Sequence, residues 1–219
     1  MNKIWQFGLL IWLILVSIAA FLWTPLAEGL GEYTRILYFH VPVAWVTVLA
    51  FLIGAVYSIV YLKTRKIVYD HIAEAAGQLG LLYCVLATLT GSVWAKVSWG
   101  SFWNWDPRET SIFILLLIYA AYFALRSAIE QEDRKAALSS VYSILAFVTV
   151  PFFVFIVPRV YSSLHPDPLV NTQAKINMDS KMLATFLSSL FGFTVLFIWI
   201  LKRKIDVVKI KMALRNLEN

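Results

Sequence analysis

The sequence predicts an all-α integral membrane protein, a bundle of six transmembrane helices with a tryptophan-rich loop at its outer end. Three observations carry that prediction. Hydrophobic residues make up 60% of the 219 and charged residues only 15%, where a soluble domain averages about 45–50% and about 25%. Six apolar runs are each long enough to cross a hydrocarbon core about 30 Å thick, which takes about 20 helical residues. The lysines and arginines, finally, divide unevenly between the connections on the two sides.

The first run, 4–23, is too long for the apolar region of a cleaved signal and leads into Trp23-Thr24-Pro25 without a small-residue cleavage site, so it is expected to remain as a helix. The second, 41–62, carries Pro42 in its first turn, where a missing N–H is tolerated. The third, 72–95, contains Cys84, the only cysteine. One cysteine excludes an intrachain disulfide, a Cys-pair metal or redox motif and the C-x-x-C-H attachment of a c-type haem, leaving a buried, inert thiol. The fourth, 107–125, follows Asp106-Pro107-Arg108-Glu109, in which Asp at N-cap, Pro at N1 and Glu at N3 form a capping-box pattern. The fifth, 137–157, should kink at Pro151 and close at Pro158. The sixth is 182–201. Behind it a basic tail, 202–219, has Ile205, Val208, Ile210 and Leu214 among its lysines, the pattern of a helix lying on the inner membrane surface. Short inner loops make consecutive helices antiparallel neighbours. No soluble domain, nucleotide-binding loop or internal repeat is visible.

Orientation follows from charge, because cytoplasmic loops carry the excess of Lys and Arg. Of the 19 basic residues, 13 fall on one side: Lys3, Lys63, Arg65, Lys66, Arg126, Arg134, Lys135 and the tail's Lys202, Arg203, Lys204, Lys209, Lys211 and Arg215. The other side holds Arg35, Lys96, Arg108, Arg159, Lys175 and Lys181. Both termini are therefore expected in the cytoplasm, with the loops at 24–40, 96–106 and 158–181 facing outward. The net charge of +6 is accounted for by these juxtamembrane clusters and does not point to nucleic acid.

The outer loop Trp99-Gly-Ser-Phe-Trp-Asn-Trp-Asp-Pro-Arg-Glu-Thr110 places Trp99, Phe102, Trp103 and Trp105 within seven residues, with Trp94 just before them. An interfacial aromatic belt is one reading. Belts scatter their aromatics over several helix ends, however, and this cluster is packed into one loop. A flat, rigid, apolar surface suits a planar hydrophobic ligand, for which porphyrin is the obvious candidate. Asp106 and Glu109 are explained by capping alone. Arg108 is not: its guanidinium near a helix N-terminus could pair with an anionic group such as a propionate, or with Glu109 or a lipid phosphate.

Topology separates the three histidines. His40, in Tyr38-Phe39-His40-Val41-Pro42, and His165, in Ser162-Ser163-Leu164-His165-Pro166, lie on the outer side with the tryptophans, whereas His71 lies on the inner side. Imidazole is a common haem-iron ligand, so two from opposite ends of the sequence could clamp a ring on one platform. A solvated interfacial side chain is the alternative for each. Zinc lacks a third or fourth donor at usable spacing. A b-type cytochrome would place facing histidines inside its helices, and here both sit at loop–helix junctions.

The loop resembles the tryptophan-rich "WWD" signature of the haem-handling proteins of cytochrome c biogenesis, and the whole chain is similar to their small family, cytochrome c maturation protein C (CcmC). The resemblance runs through length, six spans, Leu37-Tyr-Phe-His-Val-Pro-Val-Ala-Trp45, Gly91-Ser-Val-Trp-Ala-Lys96, the signature, and a histidine in the last outer loop. It implies a haem exporter or delivery protein of the bacterial cytoplasmic membrane, not an enzyme, with its signature loop in the periplasm. It implies transiently bound haem b with His40 and His165 as axial ligands, laid on Trp99, Phe102, Trp103 and Trp105 beside Asp106 and Arg108. It also implies handover to the periplasmic haem chaperone CcmE, with the ATP-binding-cassette pair CcmA and CcmB and the small subunit CcmD as companions. Two departures stand out. Phe102 replaces a tryptophan common in relatives, and Asp106-Pro-Arg-Glu-Thr110 resembles the ending of the longer CcsA proteins, so a CcsA-like cytochrome c synthase subunit is the enzyme-class alternative.

Overall fold

The computed structural model describes residues 3–27, 29–165 and 178–218. Among them the regular elements are helices, and six helical rods are long and apolar enough to cross a membrane. In order they are α1 (Lys3–Leu22), α2 (Leu37–Thr64) preceded by a 3₁₀ turn (Glu32–Ile36), α3 (Ile67–Trp99), α4 (Pro107–Ala128), α5 (Glu132–Pro151) continued by a π turn (Phe152–Ile156) and the short α6 (Val157–Val160), and α7 (Ser180–Glu218).

The helices outrun the apolar segments that reveal them. α3 has 33 residues and α7 has 39, which at 1.5 Å per residue makes α7 about 58 Å long. The expected division at Leu201 is therefore not a break in the helix. Its basic continuation runs on in the same rod, and Lys204 Nζ donates to Gln78 Oε1 on α3 at 2.8 Å, so this stretch follows the bundle before leaving it.

Proline placement needs two refinements. α2 begins four residues earlier than the apolar run, so Pro42 lies inside it. Without an N–H, Pro42 cannot bond the Tyr38 carbonyl one turn back. The hydroxyl of Ser189 on α7 donates to that carbonyl instead. At Pro151, where the sequence predicts a kink, regular α-helix ends, and the π turn directly after it absorbs the misfit. Pro158 does not close the rod but sits in the first turn of α6, and the chain leaves the helix at Tyr161.

α2 and α3, joined at Arg65 in a left-handed conformation (φ 56°), form the centre of the bundle, and α4 and α5 likewise pack as neighbours. Small residues let the central pair approach closely: Ala50, Ala75, Ala76 and Ala87 are buried with Val46, Leu79 and Tyr83 against Phe197 and Leu201 of α7. A second cluster joins Phe51 and Cys84 to Leu115 and Tyr119 of α4 and Ala146 and Val150 of α5. Cys84 is free and buried. α1 packs chiefly on α7, where Trp12 Nε1 donates to the Ser188 carbonyl at 3.0 Å, and presents most of its apolar surface outward, as a lipid-facing helix does.

At the end of the bundle away from the tryptophans, a buried ion pair ties α4 to α3. Arg126 forks onto Asp70 at 2.8 and 2.9 Å and reaches Glu74 at 3.0 Å. His71 stands beside it, 3.9 Å from Glu74 and 3.7 Å from Glu132.

Candidate functional site

His40 lies in the first turn of α2 and leans on α3, with Nδ1 2.9 Å from Thr90 Oγ1. The neighbouring residue on α3 is Gly91. A Cβ there would stand 3.0 Å from Cε1 of the imidazole, so the absence of a side chain is what gives the ring its seat.

α3 ends at Gly100, whose left-handed conformation (φ 84°) lets its N–H close on the Lys96 carbonyl. The loop then runs back into α4 through the capping box read from the sequence. Asp106 Oδ1 accepts the Arg108 N–H at 2.9 Å, Pro107 occupies N1, and Glu109 Oε2 accepts the Asp106 N–H at 3.3 Å and the Asn104 N–H at 2.7 Å. Between these two held positions Trp105 is forced to φ 56°, a strained conformation for a bulky residue, and the residue is 72% exposed.

Asp106 does more than cap. Its carboxylate accepts the Ser163 hydroxyl at 2.8 and 3.0 Å and the Leu164 N–H at 2.7 Å, and lies 3.0 Å from His165 Nδ1. It thereby clamps the segment after α6 onto the start of α4. His165 is pressed against two tryptophans of α3, Trp99 at 4.8 Å and Trp94 at 5.5 Å between ring centroids, which are themselves edge-to-face at 4.8 Å. Thr90 and Trp94 are one helical turn apart, on one face of α3 and about 6 Å along its axis. The two histidines, 125 residues apart in sequence, thus reach the same stripe of one helix.

Charge is arranged to keep the His165 ring neutral. Burial, reinforced by the cations Arg108 and His40 would supply, lowers the His165 pKa to about 4 against the opposing pull of Asp106. His165 is therefore a neutral imidazole near pH 7, and its contact with Asp106 is a charge-assisted hydrogen bond. Burial works against ionisation of Asp106, but the N–H groups of Arg108 and Leu164 and the Ser163 hydroxyl overcome it and hold the carboxyl below its ordinary range.

The aromatic residues of the loop do not form one platform. Trp99 joins Trp94 and His165, whereas Trp103 packs edge-on against Trp105 and Phe113, at 5.9 Å from each. Phe102 is exposed, with Lys96 Nζ 5.6 Å over its ring. Asp106 is 4% exposed and turned to the protein. Arg108 stays at the site, close enough for its charge to act on His165. Thr90, Gly91 and Ser163 join the site without having been given a role from sequence, and Trp94, noted there as preceding the loop aromatics, joins it with them. The signal for Trp94 was its place directly before the aromatic cluster. Among the described residues no group of three or more His, Cys, Asp and Glu is placed to hold a metal ion.

The described residues include no hydrogen bond to Nε2 of His40 or His165, the bonds of both rings being made at Nδ1. Two imidazoles whose side-chain hydrogen bonds are made at Nδ1, one of them packed against two indoles with a cation nearby, are a donor set that suits iron in a flat apolar macrocycle carrying acidic groups.

Comparison with known proteins agrees. Residues 2–218 match the family model described as "CcmC: Heme exporter protein C". The heme exporter protein C of Bradyrhizobium diazoefficiens is 32% identical over 168 residues, 77% of this chain and 64% of that protein, so the chain spans just under two thirds of that relative. The heme exporter protein C of Rhodobacter capsulatus is 30% identical over 83% of this chain and 75% of its own length, and that of Escherichia coli 28% identical over 76% and 66%. These relatives are named as exporters, not enzymes. With the family pattern running from residue 2 to residue 218, through every helix of the bundle and both histidines, the chain belongs to the heme exporter protein C (CcmC) family.

Proposed function

We propose that this chain binds haem b transiently at the outer face of the bacterial cytoplasmic membrane and hands it on for cytochrome c biogenesis. The observation that carries the proposal is the convergence of His40 and His165 on one stripe of α3 with both Nε2 atoms unbonded. Haem supplies the iron and the apolar ring. His40 and His165 are its axial ligands, Trp94 and Trp99 contact the ring near His165, and Arg108 pairs with a propionate. The exposed Trp105 and Phe102, with Trp103 behind them, form the rim of a site open to one side, which transferable binding requires.

The excess of Lys and Arg on the other side supports a periplasmic site and cytoplasmic termini. The receiver is the periplasmic chaperone CcmE, and the CcmA–CcmB pair and CcmD are the companions that family membership suggests. Protein purified after expression with haem available should show a six-coordinate, bis-histidine spectrum. His40→Ala and His165→Ala together should abolish it, and an unchanged spectrum in that double variant would overturn the ligand assignment.

A further inference from the structure

The two histidines are backed by unlike partners, and counting hydrogens shows which nitrogen carries the proton in each. A threonine hydroxyl has one proton, and that of Thr90 is directed to the Leu86 carbonyl at 2.8 Å, with the Ala87 carbonyl at 3.2 Å. Its oxygen is left to accept, so His40 Nδ1, 2.9 Å away, is the donor. Ser163 spends its one proton on the Asp106 carboxylate. His165 Nδ1 therefore faces two acceptors, Asp106 Oδ1 at 3.0 Å and Ser163 Oγ at 3.3 Å, and it too carries a proton. Both rings are left with a lone pair on Nε2.

The backing differs in charge. Behind His40 stand a neutral hydroxyl and the Ala87 backbone carbonyl, and behind His165 an almost fully buried carboxylate pinned by the N–H groups of Arg108 and Leu164. A carboxylate that accepts the Nδ1 proton orients an imidazole and strengthens it as a ligand. A hydroxyl does so far less.

We propose that Asp106 and Thr90 are positioning residues that present Nε2 of His165 and of His40 to haem iron, and that their unequal backing makes His165 the retained ligand and His40 the one that yields to an incoming ligand. The second half rests on the haem reading above; the first is testable without haem.

The full chain, labelled with ¹⁵N-histidine and reconstituted haem-free in lipid nanodiscs, carries only three histidines to resolve. His40 and His165 should each show a protonated Nδ1 and a bare Nε2, whereas a proton on Nε2 of either ring overturns the positioning claim. In haem-loaded protein, binding of carbon monoxide to the ferrous state requires one histidine to leave. Thr90→Val should speed that step at least threefold. Asp106→Asn, which retains a capping side chain, should leave the rate within about twofold and lower the preference for ferric over ferrous iron about tenfold, a rise of about 59 mV in midpoint potential. A rate that responds to Asp106→Asn and not to Thr90→Val, or to both alike, overturns the assignment of His40 as the exchangeable ligand. If no variant or wild-type protein takes up haem while the nitrogen pattern holds, the proposed function fails and the positioning of the rings stands.

Discussion

Replacing Gly91 by alanine should separate the stability of this protein from its ligand geometry, because the two are expected to move in opposite directions. Gly91 lies inside α3, where alanine is favoured over glycine by about 0.5–1 kcal/mol. The new Cβ, however, would stand 3.0 Å from His40 Cε1, with Nδ1 at 3.7 Å and Nε2 at 3.8 Å. Ordinary contact between carbons begins near about 3.5 Å, so the ring must give by a few tenths of an ångström. That retreat stretches the 2.9 Å bond to Thr90 towards the limit of a hydrogen bond and swings Nε2 off its line. Binding constellations tolerate about 0.5 Å, and a misplacement of about 1 Å can cost about 100-fold. Haem affinity should therefore fall about 3- to 10-fold in titrations of the purified variant, while its unfolding midpoint in detergent is unchanged or higher. Wild-type affinity in a variant of raised stability would refute the role of Gly91 as the seat of the ring, and with it the position assigned to His40.

Gly80→Ala should behave in the opposite way. Its Cβ would lie 2.5 Å from two ring atoms of Phe51, which is fully buried and stacked on Tyr119, so overpacking should cost about 1–3 kcal/mol in an unfolding titration, and a neutral result would refute the tight α2–α3 packing. Arg126→Met strands Asp70, only 2% exposed, and should cost about 3–5 kcal/mol, whereas Asp70→Asn with Arg126→Met leaves no buried charge unpaired there and should recover most of that loss. A double variant as unstable as the single one would show that the pair itself, not the stranded charge, holds α3 to α4.

Much of this architecture was legible along the chain because its causes are local. A run of about 20 apolar residues has few alternatives to a spanning helix. The capping box at Asp106 is written within four residues, and Pro151 disrupts the helix through its own missing N–H. Helix ends were less legible, since hydropathy reports where lipid contact stops and not where helical hydrogen bonding does. α2, α3 and α7 all continue past that point. Pro42 shows the limit clearly: its place inside α2 depends on Ser189, 147 residues away, which satisfies the carbonyl that the proline abandons.

The sequence by itself determined the number of spans, the single inert thiol, and the shortlist of His40, His165 and the tryptophan loop, because residue type and side of the membrane decide which groups can meet. Only the tertiary structure decided how they meet. It split the loop aromatics into a Trp94–Trp99 pair on His165 and a Trp103–Trp105–Phe113 group beside it. It turned Asp106 from a helix cap into the clamp that brings His165 to α3, and it showed Thr90 and Gly91 seating His40. Those outcomes depend on distances between residues far apart in the chain, set by packing of α2, α3, α4 and the segment after α6, and no local pattern encodes them.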